Sequence, residues 1–185
     1  MANLAVQPWV EGPNFISVGI AGGALQFFGT AAHCPRPRIQ RAFKPLMNDV
    51  MAHQLPFDKS FQGQKAIISM SMSRWNYAMY LQMAQTTQGG DPGSLNFGSL
   101  GTLMLFEGFA MNIGIQFPYN AIAAFSAMPK GYIFYGCTME SDDLMEEGGT
   151  EGQILNLTFE ATSAYNPATG GNALYSVNSN FPQGY

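Results

Sequence analysis

A chain of 185 residues is long enough to bury a core without metals or disulfides, and no stretch reaches the roughly 18 unbroken apolar residues of a membrane helix. A net charge of -4 and a pI near 5.0 argue against a protein that holds nucleic acid by neutralising phosphates. Charged residues make up 11%, about half the usual share for a globular chain, which favours either a surface buried by partners or a neutral polar one.

The N-terminus, Met1 to Pro8, has neither the basic region nor the apolar run of a signal peptide, so synthesis and use in the cytoplasm are expected. Phe15 to Ile20 and Ala24 to Phe28 are β-rich runs around Gly22-Gly23 and read as a hairpin. Pro35 to Arg41 contains prolines that exclude a helix or a central strand and leave an edge strand or extended arm. Residues 42–65 keep no period and read as one long loop. Their apolar residues, Phe43, Leu46, Met47, Val50, Met51, Leu55, Phe57 and Phe61, argue that the loop packs on something, such as a neighbouring copy.

Ile68, Met70 and Met72 alternate with Ser69, Ser71 and Ser73, the pattern of a half-buried strand. Ser73 is a candidate cap for a helix over about residues 73–85, ahead of Gly89-Gly90, with Trp75, Met79 and Met83 on one face. After a connector at Asp91 to Ser94, strands are predicted at Leu103 to Phe106, Phe109 to Phe117, Tyr132 to Cys137 and Leu155 to Ala161. The tail from Tyr165 to Tyr185 is rich in Asn, Gly and Ser and reads as an extended, mobile arm. The expected fold is a single domain over residues 1–185, mainly β: a small β-barrel or β-sandwich with one flanking α-helix.

Few residues invite catalysis. His33, Cys34, His53 and Cys137 have zinc-ligand chemistry but no zinc-site spacing, and a reducing compartment would leave both cysteines as free thiols. There is no Gly-x-Ser-x-Gly, no dinucleotide fingerprint and no phosphate loop, so no enzyme activity and no cofactor are expected. Glu140, Asp142, Asp143, Glu146, Glu147 and Glu151 crowd into a stretch that reads as an acidic loop between strands, with spacing unlike an EF-hand. Its candidate roles are a solvated loop, a subunit interface or the lining of a channel kept negative.

Charge is sorted along the chain. Residues 1–90 hold seven basic and three acidic residues, a balance of +4, and residues 91–185 hold one basic and nine acidic, a balance of -8. The basic cluster Arg36, Arg38, Arg41 and Lys44, with Met47, Met51 and Phe57, is the candidate subunit interface, and the acidic stretch is its candidate counterpart.

From residue 68 onward the order is a strand entering a single helix, a connector, a long strand pair, the aromatic strand Gly131 to Gly136, an acidic stretch and a closing strand, Ile154 to Ala161. This order resembles the tail tube proteins of tailed bacteriophages. The resemblance implies a small β-barrel with a flanking helix that forms hexameric rings, stacked head to tail into a tube through which DNA passes without specific binding. It also implies that residues 42–65 contact the adjacent ring, that the lumen is electronegative, and that the partners are further copies and other tail proteins. The place implied is the virion tail, after synthesis in the host cytoplasm. The competing readings are another virion subunit, such as a capsid decoration or neck protein, and a small β-fold enzyme or ligand-binding module.

Overall fold

The computed structural model describes residues 13–20, 23–47, 56–87, 111–117, 131–148, 152–162, 164–166 and 171–178. Their strands are β1 (Phe15–Gly19), β2 (Gln26–Ala31), β3 (Arg36–Met47), β4 (Pro56–Trp75), β5 (Met111–Gln116), β6 (Gly131–Gly148), β7 (Gly152–Thr162), β8 (Ala164–Asn166), β9 (Gly171–Ala173) and β10 (Tyr175–Asn178). The one helix among them is α1 (Tyr77–Thr87), so the protein is mainly β.

The antiparallel pairings form a closed circuit. β1 pairs with β2, β2 with β4, β4 with β7, β7 with β6, β6 with β5, and β5 returns to β1. Closure removes sheet edges from these strands and leaves β3 and β10 at the two ends of the strand path.

Period-2 patterning sets the register. Ala66, Ile68, Met70 and Met72 of β4 stand opposite Ala161, Phe159, Leu157 and Leu155 of β7, and all eight are buried. On the neighbouring pair, Ile16 faces Ile115 and Val18 faces Ile113. These residues join one core cluster with Phe28, Phe134, Cys137 and the helix residues Met79, Tyr80 and Met83. A fully buried side chain of this size contributes about 1.5–3 kcal/mol, so the rungs specify the register strongly. The intervening face is polar: Ser71 donates to Asn156 Oδ1 at 2.6 Å across one rung.

The helix begins later than Ser73. Asn76 is its cap: Oδ1 accepts from the Ala78 and Met79 amides at 3.1 and 3.3 Å, and the Asn76 carbonyl accepts the first helical bond from Tyr80. Ser73 to Trp75 instead extend β4 along β2, where the Ser73 hydroxyl donates to the Thr30 carbonyl at 3.3 Å. The pairing is close at Gly29, where a Cβ would lie 2.0 Å from the Arg74 carbonyl oxygen. Trp75 therefore ends a strand, while Met79 and Met83 carry the buried helix face as expected.

Three other expectations differ from the structure. The long loop of residues 42–65 is, where described, a hairpin: β3 and β4 pair from Arg36 opposite Ser69 to Met47 opposite Pro56. Two bulges and Gly63, with φ of 144°, break the alternation that would have revealed it. The acidic stretch is the second half of β6, paired with β7 as far as Gly148, because backbone pairing is indifferent to the charges outside it. The tail, expected as a mobile arm, is docked on the closed sheet from Leu174 to Asn178, where β10 pairs with β6. Leu174 enters the core, Tyr135 N–H donates to its carbonyl at 3.0 Å, and Tyr175 packs on Phe134 with ring centroids 5.7 Å apart. The expected strand at Leu103 to Phe106, Phe109 and Ala110 of the next strand, the connector at Asp91 to Ser94 and residues 179–185 lie outside the described residues.

Candidate assembly interface

Two hairpins leave opposite ends of the closed sheet. The β4–β7 ladder runs from Lys65 opposite Thr162 to Met72 opposite Leu155. Below Lys65, β4 continues to Pro56 paired only with β3, a ribbon that reaches roughly 30 Å at 3.3 Å per residue. Before Leu155, β7 runs the other way to Gly152, joined to Gly148 of β6. The β3–β4 arm thus projects from one end and the β6–β7 tip from the other.

The ends have opposite charge. Beyond Lys65 the arm holds Arg41, Lys44 and Lys59 with one acid among its described residues, Asp58, while the second half of β6 holds Glu140, Asp142, Asp143, Glu146 and Glu147 with no base; Arg36 and Arg38 lie beside the closed sheet and Arg74 at the acidic end. Such an arrangement favours contact between unlike ends of two molecules.

The arm is also apolar where it should be soluble. Phe43 and Phe61 face each other across it with ring centroids 5.7 Å apart, and remain 53% and 54% exposed. Leu46 is exposed on the opposite side, to which alternation also assigns Lys44, Ser60 and Asp58. A two-stranded ribbon is marginal in water by itself, and an exposed aromatic pair on it is a candidate contact surface. At its root, Lys65 Nζ meets Glu160 Oε2 at 2.6 Å, a part-exposed pair of small energetic worth that ties β4 to β7 where the arm departs.

The expected interface residues divide between the closed sheet and the arm. Arg36 and Arg38 are exposed beside the closed sheet, opposite Ser69 and Ile67; Arg41 is exposed at the root, opposite Gln64; Lys44 is exposed on the arm, opposite Ser60. The backbones of Met47 and Phe57 belong to the arm's outer part. Glu140 is exposed on β6 and accepts from the Thr138 hydroxyl at 3.2 Å; Asp142, Asp143, Glu146 and Glu147 follow on the same strand. Met51 and Glu151 lie outside the described residues, as do the side chains of Met47, Phe57, Asp142, Asp143, Glu146 and Glu147. The fold gathers each charge cluster on its own strand and sets the two clusters apart within one chain. Phe43, Leu46 and Phe61, expected with the stretch's other apolar residues to pack on something such as a neighbouring copy, belong with the basic cluster, as does Lys59, which was not among the expected interface residues. Their signal was the density of apolar side chains in a stretch broken by prolines.

The thiols are chemically distinct. Cys34 is exposed, whereas burial pushes the Cys137 thiol up to about 12, a shift opposed by the backbone hydrogen bond from Ile113. Among the described residues no three His, Cys, Asp or Glu side chains are grouped to hold a metal ion, and no helix is long and apolar enough to cross a membrane.

No protein-family model matches this sequence, and no curated protein matches it. Among solved structures, the chain is similar to a chain from the tail of an empty GTA particle with C6 symmetry, at TM-score 0.48 and 10% identity, covering 82% of this chain and 92% of that one. It is also similar to a chain from the virion of a native gene transfer agent particle, at TM-score 0.46 and 9% identity, with the same coverage. A third likeness is to the crystal structure of Hcp protein, at TM-score 0.38 and 9% identity, covering 90% of this chain and 99% of that one.

Proposed function

We propose that the protein is a structural subunit of a virion tail that assembles with copies of itself head to tail, as stacked rings forming a tube for DNA. The observation that carries this reading is the polarity of the closed sheet: a basic, aromatic-tipped arm leaves one end and an acidic tip leaves the other. Unlike patches at opposite ends give a heterologous contact, which repeats along an axis, whereas like patches would close into a dimer. Sparse charge elsewhere is consistent with a surface largely covered by neighbours, and an acidic protein lets DNA move along a channel without gripping its phosphates. In this reading the acidic half of β6 serves as the interface partner of the arm. No catalytic residue, metal or cofactor is required.

The test is negative-stain microscopy with sedimentation velocity on purified protein over a range of concentration and salt. Rings or tubes of repeating subunits, loosened by salt over the range where the screening length falls from roughly 10 to 3 Å, are the expected result. A monodisperse monomer at every concentration refutes the proposal, and a closed particle of fixed size favours a decoration or neck subunit.

A further inference from the structure

The arm needs a receiving surface, and the opposite end of the molecule offers one. Where β4 ends and α1 begins, a cleft of about 350 Å³ is lined by Phe27, Phe28, Gly29, Arg74, Trp75 and Asn76. It lies beyond the Met72–Leu155 rung, at the end that also carries the acidic β6–β7 tip. Its lining includes the aromatic residues Phe27, Phe28 and Trp75. Arg74 is exposed at the site and has no ion-pair partner among the described residues.

We infer that this cleft is the socket in which the Phe43–Phe61 face of the next copy's arm is seated, an inference that rests on the head-to-tail reading above. Three features fit this occupant. The socket and the arm leave opposite ends of one molecule, so each copy presents one of each along the stacking axis. The arm face is an aromatic pair already more than half exposed, and the cleft's lining offers the aromatic residues Phe27 and Trp75 for ring packing and Arg74 for a cation–π contact. Alternation places Lys59 and Pro45 on that same arm face, next to Phe43 and Phe61, so Lys59 approaches the acidic strand end beside the socket as the rings enter. Charge complementarity and aromatic fit therefore select the same docking face.

Cysteine placement tests this without disturbing the aromatic pair. In a Cys34→Ser background, Pro45→Cys and Ala78→Cys put single thiols at exposed sites, one on the arm face and one on the first helical turn beside the cleft. Mixed in equal amounts, assembled, and treated with a short bismaleimide, the two variants are expected to give cross-linked heterodimers, while Pro45→Cys mixed with a Val177→Cys variant, whose thiol is exposed on β10, gives none. Arg74→Ala is expected to raise the concentration needed for assembly about fivefold to tenfold. Assemblies that form normally, yet show neither the cross-link nor the Arg74 effect, overturn the socket and leave head-to-tail assembly standing. Failure of the parent protein to assemble under any condition overturns both.

Discussion

Replacing Phe43 or Phe61 by Ser separates assembly from folding, because both rings lie on the arm, beyond the last β4–β7 rung, and are slightly more than half exposed before any partner arrives. A fully exposed Phe offers an area on the order of 200 Å², so docking can cover about 100 Å² per ring. At about 25 cal/mol per Å² this contributes up to about 2.5 kcal/mol for each ring, equivalent to roughly 70-fold in affinity. Ordering costs at an interface reduce that ceiling, so the expected rise in critical concentration is about tenfold to 70-fold for either single variant. The double variant should fall short of the product, since each single change also removes the edge-to-face contact between the two rings. The assay is sedimentation across a concentration series, with thermal unfolding of the unassembled protein as the folding control. Salt supplies an independent axis: screening weakens the charge component and leaves the aromatic one. A critical concentration within about threefold of the parent, under about 0.7 kcal/mol, with unfolding unchanged, would refute the assignment of the arm as the contact surface.

Three further outcomes test the fold beneath that surface. Gly29→Ala forces a Cβ to 2.0 Å from the Arg74 carbonyl oxygen, so β2 and β4 must separate; a loss of about 1–3 kcal/mol or more is expected by denaturant titration. Asn76→Ala removes the acceptor of the Ala78 and Met79 amides and should cost about 1 kcal/mol, with Asn76→Asp retaining most of it. Cys34 should react with a thiol reagent in the native state and Cys137 only after unfolding. For Cys137 the folded-state value is raised, from 9.0 to about 12, so the unfolded chain loses its proton first as pH rises. Stability is unaffected by this thiol below pH 9.0 and falls by about 1.4 kcal/mol per pH unit between 9.0 and about 12. A Cys137→Ser variant with the same alkaline slope would remove this thiol as its cause.

The core was legible because burial enforces strict alternation. Ile68-x-Met70-x-Met72 and Leu155-x-Leu157-x-Phe159-x-Ala161 were visible as periodic runs, and their predicted faces are the buried ones. Legibility ended where both faces of a strand are solvated. Beyond the closed sheet no core selects one face of β3 and β4, and the bulge at Ala42–Phe43 with Gly63 resets the alternation, so the hairpin read as a loop. The acidic half of β6 was hidden likewise, by charges that backbone pairing does not oppose. The helix start was misplaced because Ser73 and Asn76 are both good caps, and only the tertiary pairing of Arg74 and Trp75 with β2 decides between them. Among the described residues of the tail, Leu174 is the one fully buried in the core, between two short strands, too little to form a period.

Charge sorted by position along the chain became charge sorted by end of the molecule through the topology of two hairpins. β4 runs away from the Met47–Pro56 pair toward the end where Gly148 of β6 pairs with Gly152 of β7, so the two paired strand ends lie at opposite ends. From Lys59 to Met72 the strand covers roughly 40 Å, against a screening length of about 8 Å at physiological ionic strength. Across that span Lys44 and Lys59 of the arm and the acidic end of β6 exert almost no force on each other within one chain, whereas Arg36 and Arg38 lie beside the closed sheet, level with Ser141 and Thr138 three strands across. In the proposed head-to-tail assembly the attraction suggested by the sequence acts when a second molecule brings its acidic end to the arm. The same separation keeps the arm from folding back on its own tip, leaving its aromatic face available. On this geometry, shortening the arm is expected to weaken assembly and leave the closed sheet as stable as before, because none of the described side chains from Phe43 to Gln62 belongs to its core.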